Sequence, residues 1–412
     1  MILPNGWKRV KLGDVAKVTS GGTPSKDNSS YWNGDIPWIS ALEMHNNFVD
    51  SAKLKITKDA LEKGSSLAKK DDLLLLTRGS MLWNRIPVCL CMRDVAFNQD
   101  VKCIHPNDTV NSKFLLYWFG SMEKLIMNKV EGTGIGAGKL ATDFILDLNV
   151  MVPPLNEQKK IAETLSVWDR AIEKTEKLIE AKETQKKILA KKLLDKNISP
   201  SKIKLDNVTI NKEKWEEKQL GEMLEFKNGV NVDKEKYGKG VKMISVLDIL
   251  SNKPLMYDEI RNSVDLTKDE LNTYSVHYGD VLFQRSSENY EDAGSSNVYI
   301  DKEQIATYSG FVIRGKKKYE YNPLCLNAIL KLSSVRNQIT KGAAGAQHIN
   351  VGQDSLAKVQ VCLPSLQEQN VIADILSNAE KEISILKQQL DNYKKQKQGF
   401  MQKLLTGQWR IK

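Results

Sequence analysis

Cysteine is scarce and unpaired in this chain, with five among 412 residues and no Cys-x-x-Cys spacing. That pattern excludes a disulfide framework and a cysteine-based zinc module, and it points to a reducing compartment. Apolar runs are short, Leu73 to Leu76 among them, so nothing approaches the roughly 20 residues that a bilayer-spanning helix needs. The opening Met-Ile-Leu-Pro-Asn-Gly-Trp-Lys-Arg lacks the apolar core of a signal peptide. The expected location is cytoplasmic. Histidine is equally sparse: His45, His105, His277 and His348 stand apart, with no His-x-x-x-His and no cysteine pair beside them, so no metal site is indicated. Cys89 and Cys91 alternate onto one face of an expected strand and read as buried thiols.

Catalytic signatures are missing too. Gly132-Thr133-Gly134-Ile135-Gly136-Ala137-Gly138-Lys139-Leu140 resembles a phosphate loop, but the Walker spacing puts Thr133 at the first glycine and Leu140 at the magnesium-binding hydroxyl. It also follows an expected helix, whereas a phosphate loop or a dinucleotide turn follows a strand. A flexible loop that lets Lys139 approach a phosphate, or a plain connector, fits better. An amino-methyltransferase needs a motif such as [DNS]-P-P-[YFW] to hold the target amine. The only Pro-Pro here is Val152-Pro153-Pro154-Leu155. Glu216-Glu217-Lys218 is ordinary at this charge density. No catalytic constellation remains.

What is present is a well-folded composition, 41% hydrophobic and 27% charged, long enough for two to four domains. Net charge is +10, from 61 basic and 51 acidic residues. No segment is a basic tail, so any surface for a polyanion must be created by folding.

The dominant feature is an internal repeat. Pro153-Pro154-Leu155-Asn156-Glu157-Gln158 returns 211 residues later as Pro364-Ser365-Leu366-Gln367-Glu368-Gln369, and the offset holds without a gap to Leu194 and Leu405. Fourteen of these 42 positions are identical. Trp7 to Gly13 and Asp72 to Leu75 recur more loosely at an offset of 208, as Trp215 to Gly221 and Asp280 to Phe283. The chain therefore reads globule, helix, globule, helix. The expected boundaries are 1–152, 153–199, 200–363 and 364–412.

Each repeated helix has a seam at alternating steps of four and three. The first runs through Ile161, Leu165, Trp168, Ile172, Thr175, Ile179, Lys182, Lys186, Leu189 and Leu193. The second runs through Ile372, Leu376, Ala379, Ile383, Leu386, Leu390, Tyr393, Lys397, Phe400 and Leu404. Seven and nine of the ten positions are apolar, which predicts coiled-coil strands. Chain connectivity makes such a pair antiparallel, a stiff spacer of about 63 Å at ~1.5 Å per residue. The alternative is two unrelated amphipathic helices, each covering its own globule.

Within the globules the signals are mixed, which predicts α+β. Strands are expected at Asp72–Thr77, Ile86–Met92, Val95–Ile104 and Phe144–Val152, with a helix over Ser112–Asn128. In the second globule strands are expected at Asp280–Arg285, Ala306–Arg314 and Leu356–Leu363, with a helix near Pro323–Thr340.

The helix motifs, Pro-Pro-Leu-Asn-Glu-Gln-Lys-Lys-Ile-Ala-Glu-Thr-Leu-Ser-Val-Trp-Asp and Leu-Pro-Ser-Leu-Gln-Glu-Gln-Asn-Val-Ile-Ala-Asp-Ile-Leu, with the closing Met401-Gln402-Lys403-Leu404-Leu405-Thr406-Gly407, strongly resemble the specificity subunit of Type I restriction–modification systems. Ser20-Gly21-Gly22-Thr23-Pro24-Ser25 and Tyr31-Trp32-Asn33-Gly34-Asp35-Ile36-Pro37-Trp38-Ile39-Ser40 are typical of that family's target-recognition domains. Lys227-Asn228-Gly229-Val230-Asn231 departs from the Gly-Gly-Thr-Pro pattern. The resemblance implies two α+β target-recognition domains joined by two long helices in an antiparallel coiled coil, a pseudo-two-fold repeat. Each domain would read half of a bipartite double-stranded DNA site. The helices would set the gap and dock two modification subunits, with Glu157, Gln158, Ile161, Leu165, Ile172, Glu368, Gln369, Ile372, Leu376 and Ile383 as the expected coiled-coil and partner-binding residues. Those subunits would use S-adenosylmethionine to methylate adenine. Restriction subunits, the motor-nuclease of the complex, would use ATP and Mg2+. This chain would hold no cofactor, carry no chemistry and have no membrane partner.

Side-chain capability then selects DNA-reading candidates, since Arg pairs with guanine, Asn or Gln with adenine, and hydroxyls with phosphates or bases. They are Thr23, Ser25, Lys26, Arg78, Ser80 and Lys139 in the first domain, and Arg285, Ser286, Asn289, Gln347 and His348 in the second. Two rival classes are a solitary DNA methyltransferase or nuclease with fused recognition domains, and a coiled-coil adaptor that never touches DNA.

Overall fold

A computed structural model describes residues 3–411, apart from Ile135, Ser199, Asp206, Asn207, Asn252, Ala346 and Gln347. The chain divides into two compact units, Met1–Lys177 with Gln388–Lys412, and Leu178–Lys387. No helix among the described residues is long and apolar enough to cross a membrane.

The first unit is built on a five-stranded sheet in the order Ala16–Ser20, Val101–Pro106, Leu73–Leu76, Val88–Cys91, Phe48–Val49, antiparallel except for the last pair. Leu73–Leu76 is fully buried on both faces, which is why it reads as an unbroken apolar run. Helix Ser112–Met127 lays Phe114, Leu115, Trp118 and Ile126 into the same core. A four-stranded sheet, Lys55–Ile56, Ile36–Ile39, Val95–Phe97, Ser66–Ala68, carries a smaller apolar cluster around Trp38.

The second unit repeats the central part in the same register. Val312–Lys317 lies between Leu224–Asn228 and Val281–Gln284, with Ser296–Val298 outside. Cys103 faces Thr19 and Leu74 in the first unit. Arg314 faces Lys227 and Leu282 in the second. These are the positions that the 208 and 211 offsets make equivalent.

Several expected elements prove to be two. Val95–Ile104 breaks into Val95–Phe97 and Val101–Pro106, because Asn98 turns the chain by accepting the Asp100 and Val101 amides. Ala306–Arg314 breaks likewise into Thr307–Tyr308 and Val312–Lys317. Phe144 and Leu356, placed in strands by their apolar character, lie in short helices Thr142–Leu146 and Gln353–Ala357. These helices precede strands Asn149–Val152 and Gln360–Leu363. The helix near Pro323–Thr340 is two, Pro323–Leu330 and Ser333–Lys341. A hairpin, Lys202–Leu205 with Val208–Asn211, was not expected at all.

The long helices are Leu155–Leu194 and Leu366–Leu405. They pair antiparallel within each unit. In the first, Asp169 meets Lys397 at 2.5 Å and Glu176 meets Lys394 at 2.7 Å, while the Trp168 ring packs on Tyr393 and Phe400. In the second, Lys182 meets Glu382 at 2.7 Å, Glu183 meets Lys387 at 2.6 Å, and Lys186 meets Glu380. The lysines that interrupt the apolar seams thus all have carboxylate partners on the opposite helix. The seams also do a second job at their N-terminal ends. Ile161 and Leu165 are buried in the core of the first globule, and Ile372 and Leu376 in that of the second. Each helix therefore grows out of its own domain's core, as the amphipathic-cover alternative holds, and pairs with the other helix further along.

Candidate nucleic-acid interface

Most of the reading candidates sit on or beside one small device that occurs once in each unit. In the first unit, Arg78–Gly79 pairs with Gly138–Lys139, which pairs with Glu131–Gly132. Lys139 stands directly opposite Arg78 on one side and Glu131 on the other. Arg78, Ser80 and Lys139 are exposed, and among the described residues no ion pair engages either cation. Two cations facing each other across strands repel, an arrangement suited to an anion that lies over both. The glycine-rich segment is therefore the tip of an antiparallel ribbon and not a free loop. Thr133 closes it, donating its hydroxyl to the Ala137 carbonyl at 2.8 Å, and Trp83 Nε1 donates to the Gly136 carbonyl at 3.0 Å. Around Gly134 and Gly136 an added Cβ would meet nothing within 4 Å. Gly136 needs glycine for its φ of +80°; Gly134 leaves the backbone bare toward solvent.

In the second unit the same ribbon is Ser286–Ser287 with Ile349–Val351 with Ala343–Ala344, and Ser286 stands opposite Asn350. The Ser286 hydroxyl donates to Asn350 Oδ1. The frame matches in detail: the Leu140 amide donates to the Thr77 carbonyl, and the Val351 amide to the Arg285 carbonyl. Asn350 thus occupies the place of Lys139, and Ser286 that of Arg78. Asn350 was missed in the sequence; the 211-residue offset carried past the helices would have reached it.

Arg285, the candidate arginine of the second domain, is therefore not the counterpart of Arg78. Arg285 corresponds to Thr77, is half-buried, and directs its guanidinium to the Gly310 carbonyl at 3.3 Å. Asn289 is exposed but tied into its own loop, donating to Asp292 at 3.0 Å and accepting the Asp292 amide at 2.8 Å. His348 is exposed beside the ribbon, its carbonyl accepting from Asn350 Nδ2 at 3.1 Å. Gln347 lies outside the described residues.

Thr23, Ser25 and Lys26 form a separate site on the first unit. Ser25 and Lys26 are exposed, whereas Thr23 donates to Gln99 Oε1 at 2.6 Å. The glycines before them serve packing: a Cβ on Gly21 would stand 2.3 Å from the Phe97 and Asn98 carbonyl oxygens. A Cβ on Gly229 would likewise stand 2.1 Å from the equivalent carbonyl oxygen of Ser309. The divergent Lys227-to-Asn231 segment therefore keeps the glycine that this close approach requires.

The expected partner-binding residues are turned inward. Gln158 and Gln369 are buried, accepting the amides of Asn111 and Asn322 and donating to the Pro153 and Pro364 carbonyls. Asn111 and Asn322 cap the helices that open at Ser112 and Pro323. Glu157 binds Arg410 at 2.8 Å and the Trp7 indole at 3.3 Å. Glu368 caps Ser365 and accepts the Asn211 amide at 2.7 Å. Ile383 is buried and Ile172 half-buried. Eight of the ten side chains, all but Ile172 and Ile383, fasten the helices to the globules.

The family described as Type I restriction modification DNA specificity domain matches the chain twice, over residues 4–183 and 212–394. The EcoR124I/EcoR124II specificity subunit of Escherichia coli is 32% identical over 165 residues, a match spanning 40% of each chain. The MjaVIII specificity subunit of Methanocaldococcus jannaschii is 24% identical over 419 residues, covering 100% of this chain and 94% of its own. Among solved structures, the S subunit of a Type I system from M. genitalium matches over 98% of both chains with a TM-score of 0.57 and 16% identity. A chain from work on assembly and conformational transition of the type I R-M system matches over 99% of this chain and 100% of its own, with a TM-score of 0.62 and 18% identity. At those identities the structural likeness establishes the fold.

Proposed function

The chain belongs to the Type I restriction modification DNA specificity family, whose domain it carries twice, and from that premise we propose that each unit reads one half of a bipartite double-stranded DNA site through its three-stranded ribbon. The chain is the recognition subunit of a restriction–modification complex and not its enzyme. One observation carries the residue assignment: two ribbons of identical register present different side chains, Arg78 and Lys139 in one, Ser286 and Asn350 in the other. A common frame with exchanged tips is what two different half-sites demand. An arginine matches guanine O6 and N7, while an asparagine matches adenine N6 and N7. Ser80 and His348 beside the ribbons, and Ser25 and Lys26 after strand Ala16–Ser20, act as backbone contacts that position the duplex without reading it.

The two long helices act as the spacer that sets the gap. Two modification subunits would bind S-adenosylmethionine and methylate adenine, and restriction subunits would use ATP and Mg2+. The modest charge of +10 suits a subunit whose partners share the grip on DNA.

The test is selection of DNA from a randomised library by the chain assembled with modification subunits, at several salt concentrations. A bipartite consensus with a fixed gap supports the reading, and binding without any consensus refutes it. Methylation or cleavage by the highly purified chain alone would refute the non-catalytic assignment.

A further inference from the structure

The first unit brings Asp72 against two side chains some 30 residues further on, Cys103 and His105. Cys103 and His105 are two apart on one strand and so share a face. Asp72 immediately precedes the neighbouring strand Leu73–Leu76. Asp72 Oδ2 lies 2.8 Å from His105 Nδ1 and 3.7 Å from Cys103 Sγ, and Sγ lies 3.8 Å from Nδ1. Donors sharing a tetrahedral zinc ion at bond lengths of about 2.0–2.3 Å stand about 3.3–3.6 Å apart. Sγ thus stands within a few tenths of an ångström of ligating distance from both partners, while Oδ2 and Nδ1, now at hydrogen-bond distance, have to part by about half an ångström.

Two further observations point the same way. Thr19 Oγ1 is 2.9 Å from His105 Nε2, the partner that fixes a ligating imidazole when the other ring nitrogen holds the ion. The second unit supplies the contrast. Asp280 is the counterpart of Asp72, and each accepts the equivalent turn amide, from His277 and Lys69. The place of Cys103 is there taken by Arg314, whose positive charge favours the Asp280 carboxylate while its guanidinium donates to the Ser275 carbonyl. The repeat thus gives one buried aspartate a built-in cation and surrounds the other with a thiol and an imidazole.

We propose that Asp72, Cys103 and His105 bind one thiophilic divalent cation, zinc by preference, which pins strand Val101–Pro106 to the turn before Leu73. Thiolate, imidazole and carboxylate together select zinc over magnesium or calcium. Binding releases the Cys103 thiol proton to solvent, and His105 ligates through Nδ1 as the neutral imidazole with its one ring proton on Nε2, toward Thr19 Oγ1.

Cobalt(II) titration of the full chain, freed of metal with a chelator, tests this. The expected result is one cobalt per chain with tetrahedral visible bands and a thiolate charge-transfer band, displaced by one equivalent of zinc. Cys103→Ser should abolish the charge-transfer band, Cys362→Ser should leave it, and His105→Gln should weaken binding at least tenfold. Zinc should raise the Tm of the wild type and not that of Cys103→Ser. Should Cys103→Ser fail to fold, the partly exposed His105→Gln carries the comparison. Absence of stoichiometric cobalt or zinc binding by the folded wild type overturns the proposal, as does a thiolate band that survives both Cys103→Ser and His105→Gln. The trio is then a hydrogen-bond network only.

Discussion

Gln158 Oε1 accepts the backbone amide of Asn111 at 2.7 Å. Gln158 belongs to the first turn of the first long helix, and Asn111 caps the helix that packs across the domain's sheet. The same bond recurs 211 residues later, from Asn322 to Gln369 at 2.8 Å. One buried amide thus locks each spacer helix to the domain it leaves. A spacer can transmit a fixed geometry only if its root does not swivel.

Gln158→Ala and Gln369→Ala leave a buried amide and a proline carbonyl without partners. The expected loss is about 1–3 kcal/mol for each, read as a lower denaturation midpoint. Glutamate at either position keeps the acceptor but puts a carboxylate where the glutamine donates to a carbonyl, and should cost at least as much. Equal effects at the two positions are expected; loss at one alone would break the equivalence argued from the repeat.

Lys212 provides a second check on the fold. It is buried, and its ammonium donates to the carbonyls of Lys192, Asp195 and Ile198 at 2.7, 2.9 and 2.7 Å. It thereby caps the Lys192 carbonyl in the last turn of the first long helix, where backbone carbonyls lack intrahelical donors and the helix dipole favours a cation, and it ties down the turn that follows. Lys212→Met keeps the length of the stem and removes all three bonds. A destabilisation of about 2–3 kcal/mol is expected. Amide exchange should quicken most over the last helical turn. An unchanged exchange rate there would mean that the lysine does not cap the helix.

The ribbons carry the functional prediction. Arg78→Ala should relax base preference at one position of one half-site, at about 1–3 kcal/mol of discrimination. Lys139→Ala should weaken binding to all sequences alike and lower the salt slope by about one. Asn350→Ala should relax the other half-site, while Arg285→Ala should alter base preference less than Asn350→Ala does, because Arg285 is half-buried and Asn350 is exposed. Library selection on each variant separates these outcomes. Uniform weakening by all four would reduce the ribbons to phosphate contacts.

What the sequence discloses and what it hides divide along a physical line. The helices are legible because an apolar pattern that returns every seven residues over 40 positions keeps one face only on a helix, and because Glu157-Gln158 and Glu368-Gln369 recur in register. Leu73–Leu76 is legible as a doubly buried strand. The ribbons are not, since their strands of two or three residues are too short to show alternation. Their pairing joins Arg78 to Lys139 and Ser286 to Asn350 across some 60 residues, a distance that no local pattern spans. Nor does the sequence reveal that Glu157 and Gln158 turn inward: a polar first turn looks solvated until its hydrogen-bond partners, Trp7, Arg410 and Asn111, are placed around it. The Asp72, Cys103 and His105 trio escapes for the same reason, being made by strand pairing and not by spacing.

The spacer yields the last prediction. Where the helices pair, each lysine that breaks the apolar seam meets a carboxylate: Lys182 with Glu382, Lys186 with Glu380, Lys397 with Asp169. Adding seven residues to both helices, after Lys177 and after Gln388, restores the face of every seam residue, because the pattern repeats every seven. The ion pairs on either side then keep their partners. The rod lengthens by about 10 Å at ~1.5 Å per residue. That equals roughly three base pairs at ~3.4 Å each. The half-sites should stay the same while the preferred gap grows by about three base pairs, at reduced affinity because three base pairs also turn the duplex by near a quarter of a revolution. Inserting seven residues into one helix only should break the register and the cooperativity of unfolding. Selection from a library of randomised gaps reads the first result, and a gap that stays put in a folded double insertion would show that the helices are not the ruler.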